Sequence, residues 1–199
     1  MAMQSVADAL SHSFNSDRQM KDKAAFKLRA DFQALAATWR ERAVGSYGVS
    51  VQQADVCVDM ALDDISRAIG ECESPIERAL LPHLLFQPYA DDHPAPARIS
   101  LRSDDIRPPA PVVVVPQFAF IRCRIDFAVI AKVNYGSVIV AVECDGAEFH
   151  NVEKDRRRDA FLASWGIPTV RASGKDISRE AQAVAFKVAE LVNTGSHQP

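Results

Sequence analysis

Residues 112–146 read VVVVPQFAFIRCRIDFAVIAKVNYGSVIVAVECDG, and the fold turns on how this stretch is divided. It is dominated by β-branched and aromatic residues, which suit the pleated, half-buried surface of a sheet. VVVV predicts one strand, FAFIRCRIDFAVI a second, and SVIVAVEC a third, with the last two joined as a hairpin through the Asn134-Tyr135-Gly136 turn. Downstream, Lys154 to about Ser164 reads as a helix with Phe161, Leu162 and Trp165 inward, ended by Gly166. Ile167–Arg171 then predicts a short buried strand. Residues from about Ser178 to Val192 predict a closing helix carrying Ala181, Val184, Ala185, Val188 and Leu191.

Upstream, Ser74-Pro75-Ile76-Glu77 combines a cap residue, proline at the first helical position and glutamate three residues after the cap, a capping box. Pro82 is expected to kink or shorten the helix that follows. Seven of the eleven prolines lie between Pro88 and Pro116, which predicts mostly loop with a short strand near Arg98–Leu101. Helix, three strands, helix, strand, helix is an α/β arrangement: a central mixed β-sheet flanked by helices.

Before this lie a polar lead-in to about residue 20 and two amphipathic helices. One, roughly 21–43, carries Leu28, Phe32, Leu35, Trp39 and Ala43 and is ended by Gly45 and Gly48; the other, roughly 51–69, follows Ser50 as cap and carries Ala54, Val58, Leu62, Ile65 and Ile69. Residues 1–70 are therefore read as an N-terminal helical extension and 71–199 as the sheet domain.

With 199 residues, 48% of them hydrophobic, the chain can bury one sizeable core. The four cysteines, Cys57, Cys72, Cys123 and Cys144, are widely spaced and form no Cys-x-x-Cys pair, so neither a disulfide nor a zinc site is expected. The first twenty residues show no basic start followed by an apolar stretch, and no run approaches about 18 apolar residues. A soluble, cytoplasmic protein without membrane contact is expected. The net charge of −3 does not advertise nucleic-acid binding, but its distribution is uneven. Asp55 to Asp92 holds nine acids against two arginines, whereas Lys154, Arg156, Arg157 and Arg158 form a basic group.

The chemistry concentrates on the strand ends. Glu143 and Asp145, two apart on one strand, share a face, and Asp126 lies on the preceding strand. If the strands pair, three carboxylates meet at one end of the sheet. Two unit charges about 4 Å apart repel by roughly 4 kcal/mol at an effective dielectric near 20, so the group calls for a proton or a cation, with Mg²⁺ the common choice. The alternative is that these acids mark strand ends and an Asp-Gly turn, with Arg122 and Arg124 satisfying Asp126 as ion pairs.

In order, Ser74–Glu77 (SPIE), Arg124–Phe127 (RIDF), Val142–His150 (VECDGAEFH), Lys154–Leu162 (KDRRRDAFL) and Gly166–Arg171 (GIPTVR) resemble small bacterial proteins related to the very-short-patch-repair endonucleases. That group belongs to the PD-(D/E)XK, or restriction-endonuclease-like, superfamily. The resemblance spans roughly residues 73–190 and leaves the first 70 unexplained. It implies a Mg²⁺-dependent DNA endonuclease, with Mn²⁺ as a substitute, for which repair, restriction and mobile-element processing all fit.

The resemblance makes Asp126 the first metal-binding aspartate and Glu143 the second acid, with the Cys144 carbonyl and Glu77 as further ligands; for Glu77 the capping box is a sufficient explanation by itself. The superfamily's usual lysine two residues after the second acid is Asp145 here, so its role passes to His150 or Lys154, while Asp145 holds a second ion or orients His150. Arg156, Arg157 and Arg158, at a helix start, are expected to contact the DNA backbone, or else to form a solvated helix face. Asp155 and Arg158 match the family pattern and equally suit a structural pair.

Two other functions stay open. One is a catalytically inactive nuclease fold that binds DNA or a protein partner, favoured by the missing lysine. The other places the functional surface on the N-terminal helices, used for homodimerisation or docking, with Lys21, Lys23, Lys27, Arg29, Arg40 and Arg42 as further DNA contacts.

Overall fold

The structure is a computed structural model that describes residues 18–89, 95–101, 110–133, 136–146 and 152–196. The lead-in before residue 18, the Asn134-Tyr135 turn and His150 lie outside the described residues. Helices α1 (Arg18–Tyr47), α2 (Val51–Ala68) and α3 (Pro75–Phe86) precede strands β1 (Arg98–Ile99), β2 (Val112–Phe120), β3 (Cys123–Val133) and β4 (Gly136–Asp145). Helix α4 (Val152–Ser164), strand β5 (Thr169–Ser173) and helix α5 (Gly174–Ser196) complete the chain order. The sheet runs β1-β2-β3-β4-β5, with β1 parallel to β2, β4 parallel to β5 and the two inner pairings antiparallel. This is an α/β architecture with a five-stranded mixed sheet flanked by helices.

Local chemistry sets most boundaries. Ser50 and Gln53 form a reciprocal capping box at the start of α2. Helix α1 passes through Gly45, where the sequence predicts a stop, and ends before Gly48, whose φ of +65° suits glycine. Helix α3 runs on through Pro82 to Phe86. Helix α4 closes in a Schellman turn: Gly166, at φ +72°, donates to the Ala163 carbonyl, and the Ile167 amide reaches back to that of Leu162. The apolar contact of that motif is made by Leu162 and Ile167, both buried under the sheet. Helix α5 starts earlier than the apolar spacing predicts and is interrupted at Glu180 by non-helical backbone angles.

One reading of the sequence is corrected. FAFIRCRIDFAVI is not one strand, because the chain reverses at Ile121-Arg122, so Phe118–Phe120 belong to β2 and Cys123 onward to β3. The reversal contains no Gly or Asn, and Ile121 itself takes the left-handed region at φ +54°. β2 also accepts Pro116, since β1 pairs only as far as Val114 and leaves that side of Pro116 without a ladder neighbour.

Two apolar layers cover the sheet. The larger joins one face of the strands (Val114, Phe127, Val129, Val140, Val142) to α2, α3, α5 and the apolar stripe of α1. The N-terminal helices thus bury Phe32, Trp39, Ala54 and Leu62 in the same cluster as Leu80 and Leu84 of α3. The smaller joins the other face (Val113, Val115, Ala128, Ile130, Ala141) to Leu162 of α4 and to Ile167. Trp165, expected inside, is 58% exposed and stands edge-on to Phe120 and Phe161 at the rim of this layer.

The strands exchange faces at one level. In β2, Val113 and Val115 point to the smaller layer, yet so does Phe118; in β3, Ala128 and Ile130 point there, yet so does Ile125. Strict alternation forbids both. The break falls at Gln117, whose φ is +50°, and at Asp126, the position opposite it in the β2–β3 register.

Candidate acidic site at the end of the sheet

The acids are placed by strand pairing. Phe127 faces Val142 across β3 and β4, so Asp126 and Glu143 occupy the next opposing positions. There the ladder gives way to a side chain: Asp126 Oδ2 accepts the Cys144 amide at 2.7 Å. Because Asp126 stands at the face exchange, it feels Glu77 of α3 from the larger layer and Arg158 and Asp145 from the α4 side. Burial, then the nearness of Glu77, pushes its carboxyl up, against the lowering effect of the Cys144 amide.

Glu143 is 3% exposed. Its Oε2 meets the Arg158 Nη2 at 3.0 Å, while its Oε1 and the Arg158 Nε are buried without a hydrogen-bond partner. Burial first, and Asp126 second, raise its carboxyl to about 7, which the Arg158 and Arg171 charges only partly oppose. A buried acid with an unpartnered oxygen next to another carboxylate is an unfinished arrangement by the standards of a protein interior.

Asp145, in contrast, is paired. Arg171 on β5 donates through Nη1 to Asp145 at 2.9 Å and through Nε and Nη2 to both oxygens of Asp159 at 2.9 Å each, with Asp155 at 3.6 Å. The fork-shaped guanidinium suits this bidentate contact. Arg158 also reaches Asp155 at 3.4 Å, so the expected helix-start pair exists.

Glu77 serves α3. Its Oε1 accepts the Ser74 hydroxyl at 2.5 Å, and its Oε2 accepts the Glu73 amide and the Gln117 Nε2, both at 2.9 Å. Ser74 in turn caps the Glu77 amide at 3.2 Å. The reciprocal half of the box therefore goes to Glu73, one residue before the cap. With both oxygens engaged, Glu77 lies near Asp126 but is held by the helix start.

The remaining candidates separate. Arg122 and Arg124 do not pair with Asp126: Arg124 bonds Glu73 at 2.7 Å and Arg122 lies 4.2 Å from the centroid of the Phe161 ring. The face exchange is the reason, since it removes Asp126 from the side that regular alternation gives Arg124. Arg156 is exposed, Arg157 bonds Glu153 on the surface, and Arg158 turns inward to Glu143 instead of joining them. Lys154 lies in the first turn of α4. Cys144 pairs with Ala172 of β5, and burial drives its thiol far up.

Among the described residues, no three His, Cys, Asp or Glu side chains form a group able to hold a metal ion. What the site offers is two facing carboxylates with one unpartnered buried oxygen. Mg²⁺ retains several waters and takes one or two protein carboxylates, so this donor set suits such an ion.

Gln117, Arg158 as partner of Glu143, and Arg171 are the participants that sequence reasoning missed. The one available signal was Gln117, a polar residue after proline inside an apolar run. A cavity of about 440 Å³ lies elsewhere, lined by Trp39, Tyr47, Phe86 and Gln182 among others and by none of these acids. No protein-family model, curated protein or solved structure matches the chain.

Proposed function

We propose that this chain is a Mg²⁺-dependent DNA endonuclease of restriction-endonuclease-like fold that hydrolyses phosphodiester bonds at the Asp126–Glu143 end of its sheet. The observation that carries the reading is the opposition of these two acids with a buried, unpartnered Oε1 on Glu143. In this reading they hold the ion jointly, with the Cys144 carbonyl as a further ligand. Bound Mg²⁺ supplies a water of lowered pKa and polarises the phosphoryl oxygens. His150 or Lys154 takes the proton or offsets the developing charge. Asp145 is held by Arg171 at the same end of the sheet, and its role in this reading is to hold a second ion or to orient His150. Exposed Arg156 and Arg157 contact the DNA backbone.

No helix among the described residues is long and apolar enough to cross a membrane, and the four cysteines are unpaired, which supports a cytoplasmic setting. Exposed Val51, Val56 and Met60 on α2 support a homodimer through the N-terminal helices, which sedimentation would detect.

The test is purified protein with Mg²⁺ or Mn²⁺ on supercoiled and linear DNA, beside Asp126→Ala and Glu143→Ala. Loss of cutting in both variants is expected; undiminished cutting in both removes the proposal. A second reading, a nuclease fold that binds DNA or protein without cleaving, is favoured by Asp145 at the lysine position and its pairing with Arg171. Calorimetry with Mn²⁺ separates the two, since only the enzyme requires Asp126-dependent ion binding.

A further inference from the structure

The Arg158 guanidinium stands where a cation serving Glu143 belongs. It is 3.0 Å from Glu143 Oε2, its own Nε is buried without a partner, and it is 28% exposed, so it has a way out to solvent. A surface ion pair has no such features: Arg157 and Glu153, one residue earlier on the same helix, are 79% and 61% exposed. A divalent ion on Glu143 would stand within a few ångströms of the Arg158 guanidinium, and a double charge at that distance is repelled more strongly than a second guanidinium would be. Arg158 also has Asp155, 3.4 Å away at the rim, as an alternative anchor.

We infer that Arg158 is a placeholder cation, which must leave Glu143 before a divalent ion binds there and whose release frees a guanidinium for a DNA phosphate. The inference rests on the nuclease reading and assigns Arg158 a positioning role, distinct from that of the outward-facing Arg156 and Arg157. Arginine suits the second contact, since its fork matches phosphate oxygens. Ion and DNA then assist one another, because each takes one member of a pair that otherwise satisfies itself.

Mn²⁺ titration calorimetry of the full chain without DNA tests this. Arg158→Gln is expected to tighten Mn²⁺ binding at least about tenfold, because a competing charge is gone, whereas Arg158→Lys stays near the wild-type affinity. Arg158→Met, which keeps the aliphatic stem, replaces the glutamine variant if that one melts below the assay temperature. A purely structural salt bridge gives the opposite: lower thermal stability with Mn²⁺ affinity unchanged or weaker, and that result overturns the placeholder alone. Adding Asp126→Asn to each protein isolates the underlying reading. Mn²⁺ binding that ignores Asp126, or that neither wild type nor the Arg158 variants show, overturns the nuclease assignment and the placeholder with it.

Discussion

Among the described residues three acids are buried, and two of them, Asp64 and Glu143, are treated in opposite ways. Asp64 on α2 is 1% exposed and complete: Arg98 bonds its two oxygens at 2.6 and 3.1 Å, Arg67 adds a further contact, and the Ile99 amide donates at 3.0 Å. These bonds tie the short strand β1 to the helical layer. Glu143 has one arginine, an unpartnered oxygen and another carboxylate opposite it. A carboxylate that only holds structure together is surrounded by donors, whereas one kept short of donors has capacity left for something else.

The contrast can be broken most forcefully at Asp64. Asp64→Ala leaves Arg98 and the Ile99 amide without their acceptor, while Arg67 keeps Asp63, and is expected to lower stability by about 3 kcal/mol, read by urea unfolding; a loss under about 1 kcal/mol would remove the distinction. At Glu143 the sign reverses. Its carboxyl is raised from 4.5 to about 7 on folding, so the stability it contributes is complete below about pH 4.5 and is lost as pH rises through 7. Glu143→Gln, which mimics the protonated acid, should therefore equal the wild type near pH 4 and exceed it at pH 8 by no more than about 3 kcal/mol. Thermal melts at both pH values check this, and a glutamine variant less stable than wild type at pH 8 contradicts it.

Arg171→Met sharpens the comparison within the site itself, because it removes the guanidinium that Asp145 and Asp159 share at partly solvated positions. A loss of about 2 kcal/mol is expected in the same urea assay. The smallest effect belongs to Arg157→Ala, whose exposed pair with Glu153 should be worth under about 0.5 kcal/mol. A larger loss there would mean that the α4 surface is structurally committed, and it would weaken the view that Arg157 is free to meet DNA.

What was legible in the sequence was what depends on near neighbours. The caps at Ser50 and Ser74 and the apolar stripes of α1, α2 and α5 act over three or four residues, and the pattern displays them directly. Asp126 and Glu143 could be brought together on paper because a hairpin fixes which positions oppose each other. The break at Ile121-Arg122 was hidden, since a β-branched residue in the left-handed region carries no turn signature. Arg158 and Arg171 escaped for a different reason: their partners lie 12 to 26 residues away or on the neighbouring element, where spacing says nothing. For Glu77 the local capping explanation accounts for one oxygen, while Gln117, visible only as a polar residue in an apolar run, gave no sign that Glu77 was its partner.

The exchange of faces at Gln117 and Asp126 makes the outer part of the β2–β3 ribbon a separately phased unit. Removing one residue at the Gln117 level would return β2 to plain alternation with Phe118 still on its layer, but would leave Asp126 of β3 as an extra residue with no opposing position. Natural or engineered changes in the length of this ribbon are thus tolerated only as compensating edits in both strands, and the aspartate at the crossover moves with every one of them.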